Sequence, residues 1–372
     1  MRRLVRAAVI AATAAVTALS AVAGCAASTA GAAGQAAAAG IPSPNRAVPT
    51  PPPFDLQAHR GGAALTVENT LAAFGRALDL GVSTLELDTQ ITEDGRAVVT
   101  HDRDPDPRKC TDTSPATPGD PEYPYVPGTR YIKDLTLAQV RTLDCGSTSL
   151  AEFPEQQASP GARMPLLSEV LDLVQQRGAD DVVLNLELKV EAASPTETAP
   201  RDQFVDVVTR DVRDAGMLGQ VTIESFDWGA LMRVRQVQPD LPIIALTNGR
   251  PFLQTGLPGA SPWLGGIDID DFGGDVVAAA HSFGADALSP VHGCPADGGV
   301  DDPGYVPFTT APMVRSAHAA GMTVIPWTVD DAATMQSLID MGVDGIITNH
   351  PDVLRDVLAD DGFPLPPAHP AR

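Results

Sequence analysis

Between residues 54 and 357, short apolar or alternating stretches trade places with longer helical patterns. That rhythm restricts the chain to repeated strand and helix units around a parallel sheet. Candidate strands end near His59, Asp88, Lys189, Ser225, Thr247, Pro290, Trp327 and Thr348, and helix candidates begin near Glu68, Leu167, Asp202, Asp227, Asp275, Ala311 and Ala332. The count of eight strands favours a closed TIM (β/α)8 barrel over an open doubly wound sheet. With 44% of its 372 residues hydrophobic, the chain has enough apolar material to fill such a core. Two intervals break the rhythm. The stretch from about 103 to 165, rich in Pro, Gly and Thr, is too long for an ordinary connection and reads as a loop-rich subdomain inserted on the βα side. A second irregular stretch, Gly249 to about Asp275, decorates the same face.

The ends of the chain read differently. Arg2, Arg3 and Arg6 precede an apolar run from Ala7 to Val22, which together make residues 1–24 an expected signal peptide. The sequence Val22-Ala23-Gly24-Cys25 is similar to a bacterial lipobox, and that resemblance implies diacylglyceryl attachment at Cys25. The expected location is therefore outside the cell, on the outer face of the membrane as a lipoprotein or secreted, with a lipid anchor as the contact with the membrane. Residues 25–53 are Ala, Gly, Pro and Ser rich and read as a tether, and the Pro-rich residues 358–372 read as a disordered tail. Acidic residues outnumber basic ones 47 to 25, for a formal charge of -22, with no basic stripe to meet a phosphate backbone. That excludes nucleic acid as a partner, and nothing in the sequence points to a protein partner. The four cysteines lack the C-x-x-C spacing of a structural zinc site. In an exported protein Cys110 and Cys145 are expected to form a disulfide that closes the insertion and leaves Cys294 by itself, although the sequence leaves open a pairing of Cys294 with either.

Within Thr84-Leu85-Glu86-Leu87-Asp88-Thr89-Gln90, strand alternation puts Glu86, Asp88 and Gln90 on one face and two leucines on the other. Leu184 to Lys189 repeats the arrangement, with Asn185, Glu187 and Lys189 opposite three leucines. In a barrel the leucines face the helices, so like charges face inward, where burying them is costly without a cation. Glu86, Asp88 and Glu187 form a hard, all-oxygen set suited to Ca2+ or Mg2+. Lys189 is one of only three lysines in the chain and supplies a cation for an anionic substrate or, alternatively, an internal salt bridge to Glu187. His59 and Arg60 lie at the end of the first strand, on the face where barrel active sites sit. The turn Thr92 to Arg96 and a return strand, Ala97 to Thr100, deliver His101 and Asp102 to the same place. Two imidazoles that titrate near neutral pH, with two fixed cations and a metal site, suit cleavage of a phosphodiester. The ester gains charge at its oxygens and expels an alkoxide that must be protonated.

These residues resemble the glycerophosphodiester phosphodiesterase family. The resemblance rests on His59-Arg60-Gly61, Glu68-Asn69-Thr70, Glu86-Leu87-Asp88, Asp94-Gly95, His101-Asp102 and Leu186-Glu187-Leu188-Lys189, with weaker echoes at Glu224-Ser225-Phe226, Pro326-Trp327-Thr328 and Gly342 to Asn349. It implies hydrolysis of a small-molecule glycerophosphodiester to sn-glycerol 3-phosphate and an alcohol. By the same resemblance His59 and His101 are the catalytic acid and base, Glu86, Asp88 and Glu187 hold the divalent cation, and Arg60 and Lys189 bind the phosphate. Val67 stands where family members often have proline, and Asn349 where aspartate is common. Glu68 reads as a helix-start residue or as a support for the site's other side chains, outside the metal set, and Trp327 as either a wall for the glycerol carbons or a core tryptophan. Tyr123, Tyr125 and Tyr131 are read as surface residues of the insertion, with a choline-binding role as the alternative. Other readings are a phospholipase D-like or wall glycerophosphate-polymer phosphodiesterase with nearly the same residues and, more remotely, a solute-binding lipoprotein with two hinged lobes.

Overall fold

Leucine on one face and polar residues on the other, in the strands ending at Asp88 and Lys189, dictate a sheet that along those strands is dry outside and polar inside. The computed structural model, which describes residues 54–371, shows that sheet curved into a barrel. The expected signal peptide, Cys25 and the whole of the tether lie outside the described residues. Eight parallel strands run β1 (Asp55–Ala58), β2 (Thr84–Ile91), β3 (Val183–Leu188), β4 (Val221–Ser225), β5 (Ile243–Thr247), β6 (Ala287–Pro290), β7 (Thr323–Val324) and β8 (Gly345–Thr348). Each pairs with its sequence neighbour from β1 to β7, and β8 pairs with β1. Backbone bonds from Asp344 N to Val324 O at 2.9 Å and from Ile347 N to Pro326 O at 3.0 Å bring β7 against β8 and nearly close the ring.

Helices α1 (Leu71–Leu80), α2 (Leu167–Arg177), α3 (Arg201–Asp214), α4 (Trp228–Val237), α5 (Val276–Ser282), α6 (Ala311–Ala319), α7 (Ala332–Met341) and α8 (Pro351–Asp360) follow the strands in turn. Leu85, Leu87, Leu184, Leu186 and Leu188 are buried in one core with α1, α2 and α3 residues such as Phe74, Leu171 and Phe204. Asp227 and Asp275 are not first turns but N-caps, accepting from Gly229 N and from Val277 N. Their carboxylates satisfy amides that have no partner within the helix. The start expected at Glu68 falls three residues later, because Thr70 caps α1 by accepting from Ala73 N.

The barrel interior is divided. On the side of β5 to β8, Ile244, Ala287, Ile325 and Ile347 make a small apolar cluster with Trp327 packed against it. The opposite side carries the acids of β2 to β4. Between the return strand Ala97–Val99 and α2 lies the expected insertion, with two antiparallel strands, Thr111–Asp112 and Leu143–Asp144. It has its own core of Ile132, Leu135, Val140, Leu143 and Met164 against Val98. Cys110 and Cys145 are joined as a disulfide. No described cysteine is free, so Cys294 does not stand alone as the sequence reading had it.

The expected disordered tail is a second correction. Helix α8 continues to Asp360, and the residues beyond it lie against the barrel. The ring of Phe363 packs edge-on to Phe54 at 5.5 Å, His369 N donates to Leu78 O at 2.7 Å, and Arg177 Nη1 donates to His369 O at 2.9 Å. Prolines exclude helix and strand from this segment but do not prevent an extended chain from docking through its carbonyls.

Candidate active site

The inward residues of adjacent parallel strands stand level with one another, and here the register sets Asp88 beside Glu187 and Glu187 beside Glu224. Ligand oxygens of Glu86, Asp88 and Glu187 all lie within 4.8 Å of one another. The three are buried, at 1%, 0% and 7% exposure. Arg60 Nε approaches Asp88 Oδ2 at 3.3 Å, and Lys189 Nζ approaches Glu187 Oε1 at 3.0 Å and Asp88 Oδ1 at 3.6 Å. Asp88 Oδ1 is nonetheless buried without a hydrogen-bond partner. An orphaned carboxylate oxygen inside an acidic trio is what a hard divalent cation would satisfy, so these residues fit such an ion.

Burial, reinforced by Asp88 and Glu224, pushes the Glu86 carboxyl well above its usual range. Burial likewise raises Glu187 to about 7, with Lys189 opposing. Burial would raise Asp88 too, but Arg60, His101, Lys189 and His59 outweigh it and hold the group far below normal. This group therefore remains the fixed anion of the cluster.

His59 and Arg60 leave β1 in a tight turn in which Arg60 takes a left-handed φ of 53°. Gly61 follows at φ 84°, where a Cβ would come within 2.9 Å of the backbone of Ala73 in α1. The close approach lets Arg60 N donate to Glu86 Oε2 at 2.7 Å and turns the guanidinium toward Asp88. His59 Nδ1 lies 2.6 Å from Asn349 Oδ1. Asn349 Nδ2 is committed to Asp330 Oδ2 at 2.8 Å, so its oxygen faces the ring and Nδ1 carries the hydrogen. Nε2 then presents its lone pair on the side of Glu86, 3.9 Å away. Burial and the Arg60 charge push His59 down to about 3.

His101 Nδ1 bonds Asp102 Oδ1 at 2.8 Å instead. Burial, Arg60 and Lys189 lower its pKa, and Asp88 and Asp102 oppose them. Lys109 Nζ donates to Asp102 Oδ2 at 2.7 Å and to Glu68 Oε1 at 2.9 Å, and Glu68 Oε2 accepts from Arg60 Nη1 at 3.0 Å.

A cavity of about 680 Å³ opens above these groups and is lined by His101, Glu187 and Lys189 among others. Trp327, Phe226, Phe252 and Trp263 also line it, their rings in sequence at 5.2, 5.1 and 4.5 Å. Tyr123, Tyr125 and Tyr131 do not; Tyr125 donates instead to Arg130 O within the insertion. The structure thus gathers His59, Arg60, Glu86, Asp88, His101, Glu187 and Lys189 at one end of the barrel, with Trp327 on the wall above. Sequence reasoning missed Glu224 as a neighbour of the trio, although it lies on the inward face one strand over, and missed Lys109, Phe252 and Trp263, which come from the irregular connections, Phe252 and Trp263 on single short helical turns there.

A barrel carrying two imidazoles, two cations and an acidic trio at the carboxyl ends of its strands defines a hydrolase of phosphoric diesters. The chain belongs to the glycerophosphoryl diester phosphodiesterase family, whose model matches residues 59–353. It is 29% identical over 306 residues to a glycerophosphodiester phosphodiesterase of Caldanaerobacter subterraneus subsp. tengcongensis, covering 82% of this chain and 98% of that one. Its identity to the Bacillus subtilis glycerophosphodiester phosphodiesterase is 26%, over 81% of this chain and 85% of the relative. A solved structure from Silicibacter pomeroyi DSS-3, assigned to the glycerophosphoryl diester phosphodiesterases, aligns with TM-score 0.67 and 29% identity over 84% of this chain and 95% of that one. An Oleispira antarctica phosphodiesterase, solved with its product sn-glycerol-3-phosphate, shares the fold at TM-score 0.57 and 19% identity, over 82% of this chain and 96% of that one.

Proposed function

We propose that the chain hydrolyses glycerophosphodiesters to sn-glycerol 3-phosphate and an alcohol, with Glu86, Asp88 and Glu187 holding Ca2+ or Mg2+ and with His59 and His101 as the acid/base pair. The observation that carries this reading is the burial of three carboxylates, one with an unpartnered oxygen, beneath both imidazoles. When bound, the cation draws charge from a phosphoryl oxygen. Arg60 and Lys189 bind the other phosphoryl oxygens and stabilise the charge that accumulates there.

The two histidines differ in their partners, and this divides their roles. His59 is held by an amide, stays neutral, and has its free Nε2 on the cluster side, so it takes the proton from the attacking oxygen. His101 is held by a carboxylate, which offsets part of the lowering by burial and the nearby cations, so of the two rings it is the one suited to deliver a proton to the departing alcohol. The aromatic row from Trp327 to Trp263 gives the carbon part of the substrate an apolar wall. Export completes the proposal and is supported by the leader sequence. A single barrel takes the place of the two hinged lobes that a solute-binding lipoprotein would need.

Release of glycerol 3-phosphate from glycerophosphocholine, with and without chelator, tests the assignment. The parent protein should lose activity in chelator and recover it with Ca2+ or Mg2+. His59→Ala should lose about 10²- to 10⁴-fold in kcat at every metal concentration. Full activity after thorough metal removal would refute the ligand set. Faster turnover of a lysolipid or of glycerophosphate polymer would move the substrate assignment to that class.

A further inference from the structure

Lys109 joins the surroundings of one site cation, Arg60, and of one histidine, His101, to the insertion. Its ammonium bridges Glu68 at 2.9 Å and Asp102 at 2.7 Å, is 15% exposed, and completes a line from His101 through Asp102, Lys109 and Glu68 to Arg60. The residue after it is Cys110, disulfide-bonded to Cys145. The turn that carries both is closed by Lys109 N and Cys110 N donating to Asp106 O at 3.0 and 2.8 Å, and Thr111 then pairs with Asp144 in the insertion's small sheet. A lysine stem is flexible, and without an anchored backbone its ammonium would not hold two carboxylates in one arrangement.

We propose that Lys109 is a positioning residue for the reaction: tethered by the Cys110–Cys145 disulfide, it fixes His101 through Asp102 and Arg60 through Glu68. The insertion is then part of the catalytic apparatus and not a decoration of the barrel. The inference rests on the roles of His101 and Arg60 proposed above. Lys109 makes no contact with the carboxylate trio, so its loss should leave metal binding intact. Without it, Asp102 and Glu68 lose a shared countercharge, the His101 ring and the Arg60 guanidinium gain freedom, and turnover falls more than substrate binding.

The test uses the full chain with Lys109→Ala, Lys109→Arg and the Cys110→Ser/Cys145→Ser pair. Lys133→Ala, in the same insertion and paired with its neighbour Asp134, is the control. Lys109→Ala should lower kcat about 10- to 100-fold with KM changed by no more than about threefold. Lys109→Arg should recover most of that loss, the double cysteine variant should show a partial loss, and Lys133→Ala should match the parent. A second readout does not need turnover. The His101 imidazole resonance, assigned with His101→Asn, should titrate at higher pH in Lys109→Ala, because the cation that offsets Asp102 is gone. If the parent hydrolyses no glycerophosphodiester while this resonance still moves, the substrate reading fails and the positioning role stands. Parental kcat in Lys109→Ala, equal impairment of the Ala and Arg variants, or an unmoved His101 titration would each overturn the proposal. Parental kcat in the double cysteine variant would overturn the tether.

Discussion

Removing the cation should make the acidic trio take up protons, and the size of the effect follows from the geometry. Oxygens of Glu86, Asp88 and Glu187 lie within 4.8 Å of one another. At an effective dielectric of about 20, two unit charges at that distance repel by about 3.5 kcal/mol, so the three pairs together cost about 10 kcal/mol. Arg60 and Lys189, at 3.3 Å from Asp88 and 3.0 Å from Glu187, offset part of this, while the nearby Glu224 adds to it. Protonating one glutamate removes two of the three repulsions, about 7 kcal/mol on the same basis. Added to the burial that chiefly raises both groups, this repulsion helps hold the Glu187 carboxyl at about 7 and the Glu86 carboxyl well above its usual range. Because these groups are raised, the chelated protein holds their protons below about pH 7, and a cation must expel them to bind. Apparent affinity should therefore fall as pH drops, about tenfold per pH unit for each proton displaced. Folding of the chelated protein depends on pH in the opposite direction. The folded state binds protons more tightly than the unfolded chain, so stability is present at low pH and is lost as pH rises from the ordinary carboxyl range through about 7. The melting-temperature gap between cation-loaded and chelated protein should widen over that interval. Titration calorimetry with Ca2+ or Mg2+ at pH 7, in two buffers of different ionisation enthalpy, counts the protons released. A value near zero, with affinity independent of pH between 5.5 and 8, would refute the reasoning.

Asn349→Ala removes the group that holds Nδ1 of His59 and should lower kcat about 10- to 100-fold while cation affinity, measured by calorimetry, stays at the parental value. Gly61→Ala forces a Cβ to within 2.9 Å of the Ala73 backbone at a φ of 84°, and urea unfolding should show a loss of about 2 to 4 kcal/mol together with reduced turnover. Truncation after Asp361 strips Phe363 from Phe54 and the His369 carbonyl from Arg177. It should cost about 2 kcal/mol and lower the melting temperature by about 3 °C, with kcat at 25 °C unchanged.

What the sequence determined by itself is everything that depends on the direction of a side chain relative to its neighbours along the chain. Alternation in Thr84 to Gln90 and in Leu184 to Lys189 separates leucines from acids, because successive residues of a strand face opposite sides whatever the strand packs against. Eight such strands, each followed by a helical period, leave few ways to bury both faces, so the barrel and the inward acids were legible. Asp227 and Asp275 marked helix starts for an equally local reason, since a capping carboxylate reaches amides only two or three residues away.

Tertiary structure alone decided which distant residues meet. Asn349 reaches His59 across 290 positions because β8 closes onto β1, and Lys109 reaches Glu68 across 41 because a folded insertion returns it to the barrel mouth. Glu224 joins the trio through strand register, and Phe252 and Trp263 reach the cavity from a stretch with no periodicity to read. The docked tail belongs with these: its prolines announce the absence of helix, but the carbonyls that Arg177 and Arg355 capture are visible only once α1, α2 and α8 stand side by side. Local pattern sets orientation, whereas contact across the chain is set by closure and register, which no short stretch of sequence carries.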